Sequence, residues 1–155
     1  MIENGSSVRL ELYSVFEALE FVQVVADRMG EMAGFDEDAV HWIGVSVREC
    51  VINAIKHGNR EDPSKRIFVE LGFTPRSDPA EMFVRVLDQG EGFDPVEVED
   101  SLAPENILKS SGRGIFFMRS FTDSVTIRQA PEGGMEVHMV KKLPGHGDAS
   151  VTESS

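Results

Sequence analysis

The order of hydrophobic periodicities constrains this chain more than any single motif does. Apolar and polar residues alternate in "VRLELYS", residues 8–14, then recur at helical spacing through two long stretches, and alternate again in four later segments. In the first helical stretch Val15, Leu19, Val22, Ala26, Met29 and Ala33 share one face, with Ser14 as the expected N-cap and Gly34 as terminator. The second is expected to start with Asp36 as its cap, run through Val40, Ile43 and Val47, and stop at Gly58-Asn59, where a left-handed backbone is accessible. The later segments "RIFVELGFT" and "EMFVRVLDQ" are joined by the turn-rich "PRSDPA", and "SVTIRQA" and "MEVHMVKKL" by Gly133-Gly134. Each pair is expected as an antiparallel hairpin.

Elements in this order do not alternate as a doubly wound parallel sheet requires. The expected fold is an α+β two-layer sandwich, with a mixed, mostly antiparallel sheet and helices on one face. The opposite face then needs polar residues or partial cover. Residues 1–143 are expected as one domain of the 155-residue chain, and the small, polar stretch 144–155 as a disordered tail.

Charge and cysteine usage narrow the function classes. Basic residues number 15 and acidic residues 27, a formal net charge of −12, which opposes a general nucleic-acid surface. Cys50 is the single cysteine, so no intramolecular disulfide or cysteine-built metal cluster can form, and a reducing cytoplasm is the expected compartment. No apolar run approaches the ~20 residues of a bilayer span, and no membrane association is expected.

The segment patterned most like a buried helix also carries Glu49, Asn53 and His57 at four-residue spacing, in "VRECVINAIKHGN". Residues so spaced stand one above another on a helix. A carboxylate, an amide and an imidazole thus form a stripe, either a solvated edge or the floor of a polar site. Two glycine-rich clusters follow: "DQGEGFD" at a strand end, and "SSGRGI" opening the short helical stretch "GIFFMRSFTD". Between them lies a long segment rich in Gly, Pro, Ser and charge, expected to be functional or disordered. Each cluster alone is compatible with an ordinary loop or turn. Neither a GxxxxGK nor a GxGxxG loop occurs, which excludes both of those phosphate cradles. His57 suits a structural role at a helix end. Cys50, about 100° round the helix from Glu49, suits a small buried hydrophobe.

Taken in order, the clusters resemble the ATP-binding domain of the GHKL superfamily, the gyrase, chaperone, histidine-kinase and mismatch-repair ATPases. Within it the likeness is greatest to the anti-sigma factor serine/threonine kinases. Glu49, Asn53 and His57-Gly58 match the asparagine box; Asp88, Gly90 and Gly92 match the first glycine box; Gly112, Arg113 and Gly114 match the second. The likeness runs from about residue 8 to residue 142. It implies that Asn53 coordinates Mg²⁺ through its amide oxygen, a hard ligand that adds no negative charge beside a triphosphate. It implies too that Asp88 accepts a hydrogen bond from the adenine amine, where guanine offers an acceptor instead, and that Gly90 and Gly92 admit the base and ribose. Backbone N–H groups of Gly112 to Gly114 would meet the phosphates at a helix N-terminus, with Lys109 and Arg113 adding charge. Glu49 would orient or deprotonate the hydroxyl that attacks the γ-phosphate.

The implied function is an ATP- and Mg²⁺-using anti-sigma factor. It would phosphorylate an anti-anti-sigma (STAS-domain) partner on serine or threonine, sequester a sigma factor, and assemble as a homodimer. The sequence holds neither the histidine-bearing helix pair of histidine kinases nor the transducer domains of the larger ATPases, which favours the small kinase group. Two alternatives stand beside this: a nucleotide-gated binding module that regulates its partner without kinase activity, and a catalytic domain within a larger phosphatase or response-regulator pathway. Glu49 chooses between enzyme and binder.

Overall fold

The computed structural model describes residues 7–74, 80–90, 122–131 and 133–144. Strands β1 (Ser7–Tyr13), β2 (Arg66–Thr74), β3 (Glu81–Leu87), β4 (Ser124–Gln129) and β5 (Met135–Lys142) form one sheet, with helices α1 (Leu19–Met32) and α2 (Glu37–Asn53) between β1 and β2 in the chain. The sheet order is β1-β2-β3-β5-β4, and each neighbouring pair is antiparallel. The expected two-layer α+β architecture is therefore what the chain adopts, with an antiparallel sheet among the described strands.

Alternation sets the register. Val69 pairs with Val86, Leu71 with Val84 and Phe73 with Met82, so the apolar residues of the two central strands fall on one face. There they pack with Leu19, Val22, Ala26 and Met29 of α1 and Ile43, Val47, Cys50 and Val51 of α2. A one-residue slip would turn this whole set to the other side.

The other face carries a band of charge, with Phe68, Phe83 and Leu87 beside it. Five charged residues, one per strand, make a row across it: Arg9 to Glu70 at 2.6 Å, Glu70 to Arg85 at 3.6 Å, Arg85 to Glu136 at 2.9 Å, and Glu136 to Arg128. The arginines stay exposed while Glu70 and Glu136 are largely buried between them. The effect of the row is to align opposite charges between neighbouring strands.

Helix ends follow the sequence with two corrections. Gly34 closes α1 at φ +90, with Gly34 N–H donating to Glu31 O and Phe35 N–H to Gly30 O. This is the Schellman arrangement that glycine permits. Asp36 caps α2 by accepting from Ala39 N–H at 2.8 Å. Ser14 does not cap α1: a short turn, Phe16–Ala18, intervenes, and the Ser14 hydroxyl donates instead to Lys65 O at 2.9 Å. Nor is the left-handed turn at Gly58-Asn59. Asn59 has φ −85, and the positive values fall at Arg60 (53) and Glu61 (57).

Among the described residues no helix is long and apolar enough to cross a membrane. The expectations for Gly92, Lys109, Gly112, Arg113, Gly114, the helical stretch at 114–123 up to residue 121, and the tail from 145 onward lie outside the described residues.

Candidate functional site

Helix α2 does not end at Asn53 but widens into a π-helical turn, Ala54–Gly58, in which Asn59 N–H reaches back to Ala54 O at 2.7 Å. A π turn inside an α-helix often marks a functional site, because it costs regular hydrogen bonding. Here it has two effects. Glu49 and Asn53 remain one α-turn apart and half-buried, whereas the wider turn takes His57 out of the four-residue alignment and leaves it exposed. The expected three-residue stripe is thus a two-residue one. Among the described residues neither Glu49 nor Asn53 has a hydrogen-bond or ion-pair partner, so both are available to a ligand.

The second effect is to bring Gly58 against the end of β3. Asp88 lies just past that strand and is 4% exposed. Its Oδ1 accepts from Gly90 N–H at 2.9 Å and Met135 N–H at 3.1 Å, and its own N–H donates to Met135 O at 3.1 Å. A Cβ on Gly58 would collide with the Asp88 carboxylate, one on Gly90 with the Gly58 carbonyl, and one on Gly134 with the Asp88 carbonyl. Three glycines from three parts of the chain therefore enclose one carboxylate. Oδ1 is fixed by backbone donors, and Oδ2 faces Gly58.

Burial raises the Asp88 carboxyl above its ordinary range, against the opposing pull of the Gly90 and Met135 N–H groups and the Lys65 charge. The buried Cys50 thiol is pushed up far out of reach of ionisation by burial first and the Asp88 charge second. Cys50 is thus no nucleophile.

Of the expected site residues, the described set brings Asp88 and Gly90 together with Gly58 at the C-terminal end of the helix that carries Glu49 and Asn53. Gly134 was legible only as a turn residue. Its role beside Asp88 depends on the pairing of β3 with β5, which no local pattern states. Asn59, read as a helix stop, is 1% exposed and fully engaged by hydrogen bonds. Among the described residues no group of three or more His, Cys, Asp or Glu could hold a metal ion.

The chain is similar to known proteins over most of its length. The profile of the histidine kinase-like ATPase domain matches residues 14–141. Similar proteins include the anti-sigma F factor of Oceanobacillus iheyensis, 29% identical over 89% of this chain and 93% of its own length. Others are the serine-protein kinase RsbW of Staphylococcus epidermidis, 28% identical over 88% of this chain and 86% of its own, and that of Bacillus subtilis, 23% identical over 94% and 91%.

Proposed function

Since the chain belongs to the histidine kinase-like ATPase domain family, we propose that it is an ATP-binding anti-sigma factor with serine kinase activity. It phosphorylates a serine of an anti-anti-sigma partner, sequesters a sigma factor, and acts in the cytoplasm as a homodimer. Relatives named as an anti-sigma factor and as serine-protein kinases support this reading. The observation that carries the nucleotide part is the buried carboxylate of Asp88, walled by Gly58, Gly90 and Gly134.

In this reading Asp88 Oδ2 accepts the adenine amine. Guanine carries an acceptor at that position, so its approach would set two acceptors against each other in a desolvated site. Gly90 and Gly92 let the base and ribose approach the backbone. Gly112, Arg113, Gly114 and Lys109 meet the phosphates, an assignment that rests on the motif resemblance. Among the described residues the half-buried amide of Asn53 has no partner, which fits a Mg²⁺ ligand. Bound there, Mg²⁺ would offset phosphate charge. Glu49, one turn earlier, orients the acceptor serine hydroxyl and takes its proton.

The acceptor role requires Asp88 to be ionised, which fixes a pH dependence. With its folded pKa raised above 3.8, Asp88 holds its proton more tightly folded than unfolded. Its contribution to stability is greatest below the unfolded pKa and falls as pH rises through the folded one. Adenine binding runs the other way. ATP affinity is expected to drop on acidification at a pH above the ordinary aspartate range, and this step should vanish in Asp88→Asn. At neutral pH that variant should lose about 1.5–3 kcal/mol of ATP binding and most of the preference over GTP. Titration calorimetry of both nucleotides across pH checks this. Equal wild-type affinity for ATP and GTP removes Asp88 as the base reader.

A further inference from the structure

The Asp88 loop and the end of α2 are joined by a second contact, one residue along from the Gly58–Asp88 approach. Asn59 Oδ1 accepts from Gln89 N–H at 2.7 Å. The same side chain donates through Nδ2 to Ser14 Oγ at 2.6 Å and to Arg66 O at 2.9 Å. Gln89 closes the ring, its Oε1 accepting from Arg66 N–H at 2.7 Å, and Ser14 completes it by donating to Lys65 O at 2.9 Å. Asn59 thus ties together the end of β1, the turn after α2, the start of β2 and the end of β3.

The amide is used to capacity. One oxygen and both N–H directions are occupied in a position that is 1% exposed, and no smaller polar side chain offers an acceptor and two donors so disposed. The backbone around it is held at a cost. Arg60 and Glu61, the next two residues, both adopt left-handed φ values of 53 and 57, which disfavours ordinary side chains by about 1–2 kcal/mol each. The turn is pinned by Glu61 N–H donating to Ile55 O at 2.7 Å and Asp62 N–H to Asn59 O at 3.0 Å. Strain of this kind persists only where the surroundings over-determine it.

We infer that Asn59 is a positioning residue for nucleotide selectivity. It sets the spacing between the helix that carries Glu49 and Asn53 and the loop that carries Asp88, by holding Gln89 N–H while Gly58 and Gly90 close on the carboxylate. This rests on Asp88 being the base reader. Asn59 touches no nucleotide; it acts through the Gln89 backbone. Loss of its grip lets the Asp88 carboxylate move relative to the helix that carries Glu49 and Asn53, which weakens the adenine contact that needs a fixed geometry.

The test is the ratio of GTP to ATP dissociation constants for the full chain, measured below the melting temperature of each variant. In Asn59→Ala the ratio should fall about tenfold, the equivalent of one well-placed hydrogen bond. Leu71→Ala, a buried core change far from the ring in function, should lower the melting temperature and leave the ratio at the wild-type value. A folded Asn59→Ala with the wild-type ratio overturns the inference. If Asn59→Ala does not fold, Ser14→Ala decides: it removes an acceptor of Asn59 Nδ2 and so loosens the amide that holds Gln89 N–H, and the ratio should fall severalfold, whereas an unchanged ratio overturns the proposal. A wild-type protein with no preference for ATP removes the Asp88 reading itself, and the inference with it.

Discussion

Glu49→Gln is expected to cut transfer to the partner serine by about a hundredfold or more, the usual scale for a positioned acid or base. ATP affinity should stay near the wild-type value, because an interaction that matters mainly in the transition state contributes little to ground-state binding. The structural basis is that Glu49 is half-buried, unpartnered among the described residues, and one α-turn before Asn53. Glutamine keeps the size and removes only the basic oxygen. Asn53→Ala provides the contrast. An amide that meets the metal in both ground and transition states should lower Mg²⁺-dependent ATP affinity and transfer together. Single-turnover kinetics with direct ATP titration separates the two patterns. Full transfer by Glu49→Gln would move the base role to another residue.

Gly58→Ala should be almost as damaging and for a different reason. The added methyl meets the Asp88 carboxylate, whose Oδ1 is already fixed by Gly90 and Met135 N–H groups. The helix end or the β3 loop must then shift. Overpacking of this sort costs about 1–3 kcal/mol of stability. Displacement of Asp88 should also lower ATP affinity by about one to two orders of magnitude, the value of one charge-assisted hydrogen bond. GTP affinity, which has no such bond to lose, should change less. Urea denaturation and nucleotide titration measure the two effects separately; an unchanged stability and ATP affinity would mean that the site has room that the backbone contacts deny.

These two predictions draw on features of unequal visibility in the sequence. Strands were legible to within a residue or two because each central strand buries one face only, and Ile67, Val69, Leu71 and Phe73 mark it by alternation. The Asp36 cap and the Gly34 stop were legible because their chemistry is local. Ser14 misled: a serine before a helical pattern signals a cap, but its hydroxyl has a better use in the Asn59 ring. The π turn was invisible for a similar reason. It shifts the hydrogen-bond register at the end of α2 by one residue, and the approach of Gly58 to Asp88 that accompanies it is a tertiary contact with no local mark. The same holds for Gly134, which reaches Asp88 only through the β3–β5 pairing. Glu49 and Asn53 stood out in the chain because their polarity conflicts with the apolar pattern around them, whereas Asp88 stood out through the glycines beside it and the motif resemblance.

The central claim is that the site moves a phosphoryl group to a serine on another protein. Its most direct measurement is incubation of the full chain with Mg²⁺, ATP labelled in the γ-phosphate, and small candidate partner proteins from the same genome, followed by identification of the labelled residue. The account predicts label on a partner serine, strongly reduced with Glu49→Gln. ATP binding with an intact preference over GTP, but no label on any partner, would contradict it and leave a nucleotide-gated sequestration module in its place.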